Sequence, residues 1–589
     1  MTYMKDIARL VCLLTLGAAS LPFAFAQAPD QAAGGGPIVS IRAGQLRGSA
    51  SAGGGAVFKN IPFAQPPVGE RRWREPLPAN AWIGVRDATS FGPMCHQNDN
   101  AQLPHSEDCL QLNVWTPTLS PSSPLPVMVW VHGGGNVAGS GVEALFNGDD
   151  LARRGVVVVN INYRLGVFGF FAHPELTQES PHRATGNYGL ADQILALRWV
   201  RENIAKFGGN PENVTIFGES AGATDVNALI ASPLTTGLFA RVIAQSGPIG
   251  TQLSLADSEK RGVDLAGRLG ITGPHAITTL CALSATELME KAPQGGIGLN
   301  VDGWVLPVQA SKIYAEGRQQ KVALLIGNNS QELQPRGTPG DIRQMISERY
   351  GPLAQRALAA YGVSGAADPP PDPENGTVML QFTTDNSFRC GSVQQLIWHT
   401  AAGNAGYQYQ FSRTVHGKEA LGAPHAAEIP FIFGTLPVWQ RMLEARLALG
   451  LHLTAMFRAS SHSCSRSVQP STGRPRLVIP KPALTWSYTW ISAGRPPAFH
   501  AAKSARQPFV TLKCVAPTAM KSGGVSGRTF TSISDGPYRD TRKSGDASLV
   551  SASAAPTATP PPAENPMMPT LAGSMRHALA LRRTSRTAC

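Results

Sequence analysis

The chain has 589 residues, of which 42% are apolar and 15% charged, with 51 Lys or Arg against 39 Asp or Glu. This composition allows one large core or two ordinary ones, and it excludes a disulfide-knotted miniprotein and a fully disordered chain. The net charge of +12 lies in the last quarter, because residues 451–589 hold 18 basic and 4 acidic residues whereas residues 1–450 hold 33 and 35. The body is therefore near neutral, and the charge does not predict nucleic-acid binding.

The first 26 residues have the organisation of a secretory signal. Basic residues at positions 5 and 9 precede an apolar run over residues 10–21, and the sequence Ala-Phe-Ala follows at residues 24–26. The run is shorter than the roughly 18 to 20 residues of a membrane span, which argues against a stable membrane anchor. We expect cleavage after Ala26 and a secreted or periplasmic protein.

Residues 27–36 are rich in Gly and Ala and are expected to form a flexible leader. From residue 37, apolar runs alternate with helix-like stretches and Gly/Pro turns. Near-continuous apolar runs are typical of strands buried on both faces, and helical segments between them indicate a mostly parallel sheet. We therefore predict an α/β fold with helices flanking a central sheet. The clearest strand candidates are residues 127–131, 156–163, 214–217, 242–245 and 322–326.

The sequence Gly-Glu-Ser-Ala-Gly at residues 218–222 lies between an apolar strand candidate and a segment that can form a helix. The five residues alone are weak evidence, because about every second sequence of this composition, with 61 Gly, would contain such a string by chance. A strand, this string and a helix together are typical of a nucleophile elbow, where a sharp turn exposes the hydroxyl of Ser220. The alternative is a Gly-rich turn with an ordinary N-cap serine.

A second Gly-rich segment, His-Gly-Gly-Gly at residues 132–135, follows the first strand candidate. Three successive glycines cost backbone entropy and add no packing, which suits a loop whose amides turn toward a ligand. In acyl transfer these amides, together with the amide of Ala221, would bind the oxyanion. The alternatives are a tight strand exit and a phosphate loop, but the segment lacks the Lys and the glycine spacing of phosphate loops.

Several longer strings recur in one known family. The strings are FKNIPFAQPPVG at residues 58–69, SEDCLQLNVW at 106–115, NYRLG at 162–166, GNYGLADQ at 186–193, FGGNPENVTIFGESAGA at 207–223 and VDG at 301–303. In these strings the chain resembles the type B carboxylesterases, the branch of the α/β-hydrolase fold that also contains the cholinesterases. The resemblance covers about residues 38–436 and implies a serine hydrolase that cleaves carboxylic esters.

The resemblance implies three catalytic side chains, with Ser220 as the nucleophile, His425 as the general base and Glu332 as the acid that orients it. The order Ser, acid, His along the chain is that of the hydrolase fold and differs from the chymotrypsin order. In this mechanism the histidine takes the serine proton during attack on the ester and returns it to the leaving alcohol. The alternatives left open are His416 for the base, and Asp341 or Asp385 for the acid.

The resemblance also implies an oxyanion hole formed by the amides of Gly134, Gly135 and Ala221. Glu219, which precedes the nucleophile, is interpreted as a buried structural acid rather than a catalytic group. These assignments describe a site that needs only side chains and backbone of this chain.

Cys95 and Cys109 match a disulfide of the family, and export makes their oxidation plausible. Whether Cys281 and Cys390 also form a bond is open, because nothing in their spacing decides it. No Cys/His cluster has metal-ligand spacing, so we expect neither a metal nor another cofactor.

Three residues near the expected site depart from the family pattern. Asn136 replaces the aromatic residue that commonly follows the glycines, Asp225 stands where many members have Ser, and Leu333 replaces the Gly after the acid. The segment between Cys95 and Cys109 also lacks a Trp that could stack on a quaternary ammonium, so a choline ester is not the expected substrate.

Beyond about residue 450 the sequence becomes rich in Ser, Thr, Pro, Arg and Ala, and the closing helices of the family are not recognisable. We therefore predict a catalytic domain over residues 37–450 and a basic tail over residues 451–589 without a packed core of its own. The tail is either a disordered extension or the product of a coding change such as a frameshift.

The functional prediction is a serine carboxylesterase that acts on a small or medium uncharged ester. Two alternatives remain: a noncatalytic esterase-like binding protein, and an inactive variant with a disrupted C-terminus. Retention of the serine, acid, histidine and glycine loop favours the enzyme. The acyl group, the alcohol and the oligomeric state are not determined by the sequence.

Overall fold

The computed structural model describes residues 35–51, 54–97, 103–291, 298–333, 341–414, 419–448, 488–489 and 513–515. The predicted signal peptide at residues 1–26, most of the predicted leader and most of the predicted tail lie outside the described residues, so these three predictions remain predictions. The predicted catalytic body lies mostly within them.

The strands are numbered in chain order and are joined mainly by helices. The longer ones belong to one central sheet, and the shorter ones form small sheets around it. The strands are β1 (Ile38–Ile41), β2 (Gly44–Arg47), β3 (Ser49–Ala50), β4 (Ala56–Pro62), β5 (Val85–Asp87), β6 (Met94–Cys95), β7 (His105–Ser106), β8 (Gln111–Thr116), β9 (Leu125–Val131), β10 (Val157–Ile161), β11 (Gly209–Glu219), β12 (Arg241–Gln245), β13 (Leu253–Ser254), β14 (Asn300–Val301), β15 (Ala323–Asn329), β16 (Gly406–Phe411), β17 (Tyr488–Thr489) and β18 (Lys513–Val515).

The helices lie between and around these strands. A π turn at Asp385–Arg389 separates the twelfth helix from the thirteenth. The α-helices are α1 (Asp149–Arg153), α2 (Gly166–Phe170), α3 (Pro174–Glu179), α4 (Tyr188–Asn203), α5 (Ala221–Ala231), α6 (Leu255–Arg268), α7 (Ala276–Ala282), α8 (Ala285–Lys291), α9 (Ala310–Ala315), α10 (Ile342–Tyr350), α11 (Ala354–Tyr361), α12 (Val378–Thr384), α13 (Cys390–Ala401), α14 (Ile429–Ile432) and α15 (Leu436–Ala448).

The central sheet has the strand order β17-β18-β16-β15-β12-β11-β9-β10-β8-β4-β3. The six neighbours from β16 to β10 run parallel, whereas the strands beyond them on both sides pair antiparallel. All five strand candidates lie side by side in the parallel part, as β15, β12, β11, β9 and β10. The predicted α/β fold with a mostly parallel central sheet is therefore confirmed.

The parallel strands form because their apolar residues are buried on both faces of the sheet. Every residue of β10 is buried, and α4 buries most of its sixteen residues. The two helices α4 and α5 contact β11, and α5 also contacts β9 and β12. Burial of apolar surface on this scale is the main stabilising contribution to such a fold. It fixes the ends of β9 and β11, where the predicted site residues begin.

An aromatic cluster brings three distant segments of the chain to the same end of the sheet. Trp130 of β9 contacts Phe217 of β11 and Phe433 after α14, with ring centroids 4.8 and 5.1 Å apart. All three rings are buried. Each ring lies close in sequence to one part of the predicted site. The glycine loop follows Trp130, and Ser220 follows Phe217. His425 precedes Phe433 by eight residues. Packing of these rings therefore holds the three segments of the predicted site together.

In the described part of the tail, β18 pairs antiparallel with β16 and β17 pairs antiparallel with β18, so both extend the central sheet. The last described helix, α15, begins at Leu436. Among the described residues, no helix is both long and apolar enough to cross a bilayer.

Candidate active site

Ser220 lies at a sharp turn between β11 and α5. Its backbone has φ 57° and ψ −122°, a conformation that is strained for any residue other than Gly, and α5 begins at the next residue. The glycines on either side allow this turn. A Cβ at Gly218 would lie 2.6 Å from the carbonyl carbon of Gly222, and a Cβ at Gly222 would lie 2.1 Å from the carbonyl oxygen of Val131. The serine is therefore presented, half-buried, at the N-terminus of a helix.

His425 and Glu332 meet at a short buried contact. The Nδ1 atom of His425 lies 2.7 Å from Oε2 of Glu332, and the His425 amide donates to the Glu332 carbonyl at 2.8 Å. The other carboxylate oxygen, Oε1, accepts from the hydroxyl of Ser246 at 2.6 Å and from the amide of Asn329 at 2.7 Å. Both oxygens of Glu332 are thus held by donors, which fixes the orientation of the imidazole.

The alternatives for the acid lie in other surroundings. Asp341 caps α10 by accepting from the amide of Arg343, and Asp385 pairs with Arg389 and accepts from the hydroxyl of Tyr361. The alternative base, His416, lies outside the described residues. Of the three candidates for the orienting acid, Glu332 is the one that contacts His425.

Two further carboxylates lie close to the imidazole. Oε1 of Glu219 is 3.1 Å from Nε2 of His425, and Glu428 lies three residues after the histidine, with its Oε2 accepting from Asn329 at 2.6 Å. Burial acts to lower the pKa of His425, but the negative charges of Glu219 and Glu332 outweigh burial and raise this pKa to about 9. Burial also raises the pKa values of Glu219 and Glu428. The pocket thus holds one imidazole among three acids.

The glycine loop packs directly against the turn at Ser220. A Cβ at Gly133 would lie 2.7 Å from the Glu219 carbonyl oxygen and 3.1 Å from the Ser220 Cβ. Gly134 and Gly135 have φ values of +102° and +65°, which glycine adopts without strain. Within the described part of the chain, the amides of Gly134, Gly135 and Ala221 donate to no protein acceptor. Three amides from two segments are therefore available to a ligand beside Ser220.

Three residues of this pocket were not identified from the sequence as parts of the site. Glu219 is buried, as expected, and its carboxylate also contacts the imidazole; its interpretation as a structural rather than a catalytic acid stays a prediction. Ser246, at φ 54°, donates to Glu332, and Phe388 of the π turn packs on His425 with ring centroids 4.9 Å apart. A π turn often marks a functional site, but the sequence gives no sign of one here. A Ser-Gly pair directly after β12 is the one local signal for Ser246.

The cysteine predictions are partly answered. The structure contains the disulfide between Cys95 and Cys109 that the resemblance implied. Cys281 carries a free thiol, so it does not pair with Cys390. Among the residues that the structure describes, no group of three or more His, Cys, Asp or Glu could hold a metal ion.

Comparison with known proteins agrees with the fold. The model of the carboxylesterase family matches residues 35–457. The chain is 36% identical over 401 residues to the fumonisin B1 esterase of Sphingopyxis macrogoltabida, covering 64% of this chain and 72% of that protein. It is 35% identical over 447 residues to the para-nitrobenzyl esterase of Bacillus subtilis, covering 70% and 85%.

Among solved structures, the carboxylesterase EST55 of Geobacillus stearothermophilus is similar at a TM-score of 0.58 and 36% identity, covering 68% of this chain and 84% of that one. Fold and relatives together define a hydrolase of the α/β class that cleaves esters. The chain belongs to the carboxylesterase family. It is accordingly an enzyme, and the prediction of a carboxylesterase is confirmed.

Proposed function

We propose that Ser220, His425 and Glu332 form the catalytic triad of this carboxylesterase. The observation that carries the proposal is the buried contact of 2.7 Å between His425 and Glu332, next to a strained turn that presents Ser220. A serine hydroxyl is a weak nucleophile at neutral pH, and a neutral imidazole is the usual base that activates it. Glu332 accepts a hydrogen bond from Nδ1, which leaves Nε2 to take the proton.

The proposed reaction has two halves. First, Nε2 of His425 takes the proton of Ser220 while Oγ attacks the ester carbonyl carbon, and the imidazolium then protonates the departing alcohol as the carbon–oxygen bond breaks. An acyl-serine remains. A water molecule next gives a proton to His425 and attacks the acyl carbon, and the serine recovers its proton as the carboxylic acid leaves. The neutral imidazole is therefore regenerated at the end of each half.

The amides of Gly134, Gly135 and Ala221 are proposed to hold the negative oxygen of each tetrahedral intermediate. This role is supported by their lack of protein acceptors and by the contact between the glycine loop and the turn at Ser220. The N-terminus of α5 adds a favourable partial positive charge at the same place. Removing one such donor typically lowers kcat by roughly 10²- to 10³-fold.

The test is the S220A variant assayed on a p-nitrophenyl ester, together with labelling by a fluorophosphonate probe. We expect loss of labelling and a fall in kcat of roughly four to six orders of magnitude, as in other triad deletions. S254A, which removes the N-cap of α6, is the matched control and should keep parental kcat. Hydrolysis by S220A at the parental rate would refute the proposed nucleophile.

We also propose that the protein is exported before it acts. The Cys95–Cys109 disulfide is consistent with an oxidising compartment, and the sequence of residues 1–26 has the organisation of a secretory signal. Determination of the N-terminus of protein isolated from the expressing cells tests this proposal. A mature chain beginning at Gln27 supports export, whereas one that keeps residues 1–26 contradicts it.

A further inference from the structure

The two segments that supply the proposed oxyanion donors are joined by a buried side-chain hydrogen bond. Nδ2 of Asn136, directly after the glycine loop, donates to Oδ1 of Asp225 on α5 at 2.9 Å. Asn136 is 7% exposed and Asp225 is fully buried. Gly134 and Gly135 precede the first residue of this pair. The bond therefore links the loop donors to the helix whose first amide is the third donor.

Both partners of this bond are held in turn by other buried groups. Oδ2 of Asp225 accepts from Nε2 of Gln193 on α4 at 2.6 Å, and no salt bridge of the described residues includes Asp225. The hydroxyl of Tyr163 lies 3.1 Å from Oδ1 of Asn136 and 2.8 Å from the His132 carbonyl oxygen, so its one proton is shared between the two ends of the glycine loop. The network spans the loop from its first residue to the residue that follows it.

The backbone of Asn136 explains why an asparagine suits this position. Its φ of +60° continues the positive φ values of the two glycines before it, and Asn tolerates this conformation better than most residues. Its carbonyl oxygen also accepts from the amide of Gly166 at 2.7 Å. The side chain is thus held by backbone geometry in the direction of α5.

Asn136 and Asp225 are two of the positions at which the sequence departs from the family pattern. An aromatic residue and a serine at these positions could not form the amide–carboxylate bond seen here. Each departure alone would leave one buried polar atom, Nδ2 of Asn136 or Oδ1 of Asp225, without the hydrogen bond that joins them, which is costly. Together they satisfy each other.

We propose that Asn136 and Asp225 are a matched positioning pair, which sets the glycine loop against α5 so that the amides of Gly134, Gly135 and Ala221 converge on one oxygen atom. This inference rests on the proposed function of Ser220. Neither residue touches the substrate. They act through the amides, whose stabilising effect depends on donors lying about 2.7 to 3.1 Å from the oxyanion.

The test is a double-mutant cycle with N136G and D225A. Glycine keeps the positive φ at position 136 without strain, so N136G removes the side chain and spares the backbone conformation. Each single variant should lower kcat by about 10- to 100-fold with little change in KM, because the loss falls on the transition state. The kcat of the double variant should be no lower than that of the less active single variant, because both substitutions remove the same hydrogen bond.

Two further variants separate positioning from general stability. D225N keeps an acceptor oxygen for Asn136, and Gln193 can turn its amide because its Oε1 has no hydrogen-bond partner among the described residues. D225N should therefore recover most of the parental kcat. Y314F is the matched control, because it removes a buried hydrogen bond to the carbonyl of Asn227, two residues after Asp225 on α5, and should keep parental kcat.

The affinity for a trifluoromethyl ketone, which forms a tetrahedral adduct with the serine, provides a readout that a purely structural role would not change. Its Ki should rise in N136G and D225A in parallel with the loss of kcat/KM. Additive losses in the cycle, or singles as active as Y314F, would overturn the pairing. If S220A remains active, the proposed function itself fails, whereas an essential Ser220 with unaffected N136G and D225A refutes only this inference.

Discussion

Two buried ion pairs in this fold differ in the balance of their charges. Arg164 places Nε and Nη2 on the two carboxylate oxygens of Asp192, at 2.8 and 2.7 Å, and Nη1 donates to the carbonyl oxygen of Arg74. One cation faces one anion, and every side-chain nitrogen of Arg164 has an acceptor. Such a pair has no proton to exchange near neutral pH, because a guanidinium does not deprotonate in proteins. It fixes the loop after β10 to α4.

The pair between His425 and Glu332 lies in a different environment. Glu219 and Glu428 bring two more carboxyl groups to the same pocket, and no Arg or Lys of the described residues forms a salt bridge with any of these acids. The surplus of acid raises the pKa of His425 and gives its proton more than one acceptor. The comparison suggests that a balanced pair stabilises the fold, whereas an acid-rich pair around an imidazole controls proton transfer.

Between these two pairs, the largest expected effect follows from changing Glu332 to Gln. The amide keeps the shape of the side chain but cannot stabilise the imidazolium, so E332Q should lower kcat by roughly 10⁴-fold, as in comparable triads. Steady-state kinetics on a p-nitrophenyl ester measures the loss, and thermal melting checks the fold. E428Q makes the same change on a neighbouring acid that binds Asn329 and should cost less than about tenfold. Equal activity of E332Q and the parent would remove Glu332 from the mechanism.

The balanced pair predicts an effect on stability instead of chemistry. D192N leaves the guanidinium of Arg164 buried without its counter-charge, and breaking a buried pair in this way typically costs about 3–5 kcal/mol. Urea denaturation followed by fluorescence gives the free energy of unfolding. The folded fraction should keep parental kcat.

D264N is the control for this change, because Asp264 pairs with Lys260 on the exposed face of α6. An exposed pair contributes about 0–1 kcal/mol, so this variant should unfold near the parental midpoint. A D192N protein as stable as D264N would show that the buried pair does not stabilise the fold. A fall in the kcat of D192N without a loss of stability would contradict the assignment of this pair to stability alone.

The sequence predicted the parts of the fold whose signal is local. The five parallel strands are buried on both faces, so they appear as apolar runs, and they occupy five adjacent positions in the sheet. The strand Gly406–Phe411 was not among the candidates, because polar and aromatic residues alternate in GYQYQF. The turn at Ser220 was recognisable because its glycines and its flanking elements all lie within one short segment.

Contacts between distant segments could not be predicted in the same way. Asn136 and Asp225 were each noted as departures from the family pattern, but only the fold shows that they bind each other. The approach of Glu219 to His425 likewise depends on packing of Trp130, Phe217 and Phe433. A local pattern can identify a nucleophile, whereas the charges that tune its base come from tertiary structure.

The smallest expected effect concerns the pH dependence of the acid-rich pocket. General-base catalysis needs a neutral imidazole, so activity should rise with pH as His425 loses its proton, and its raised pKa places this rise on the alkaline side of neutrality. Among the charges that raise the pKa, Glu219 is the strongest. In E219Q the imidazole should therefore lose its proton at lower pH, and the rising limb of kcat/KM against pH should move toward acid.

The size of this shift compares the two acids that flank the imidazole. Because Glu219 faces Nε2 at 3.1 Å, its carboxylate competes with the serine hydroxyl for the atom that takes the proton. E219Q removes that charge and keeps the side-chain volume. At pH values below neutrality, E219Q should therefore keep a larger fraction of its maximal kcat/KM than the parent does. E428Q, which acts from farther away, should move the limb in the same direction by less. A limb that stays in place in E219Q would mean that Glu219 does not set the pKa of the base, and that it is the structural acid that its sequence context indicated.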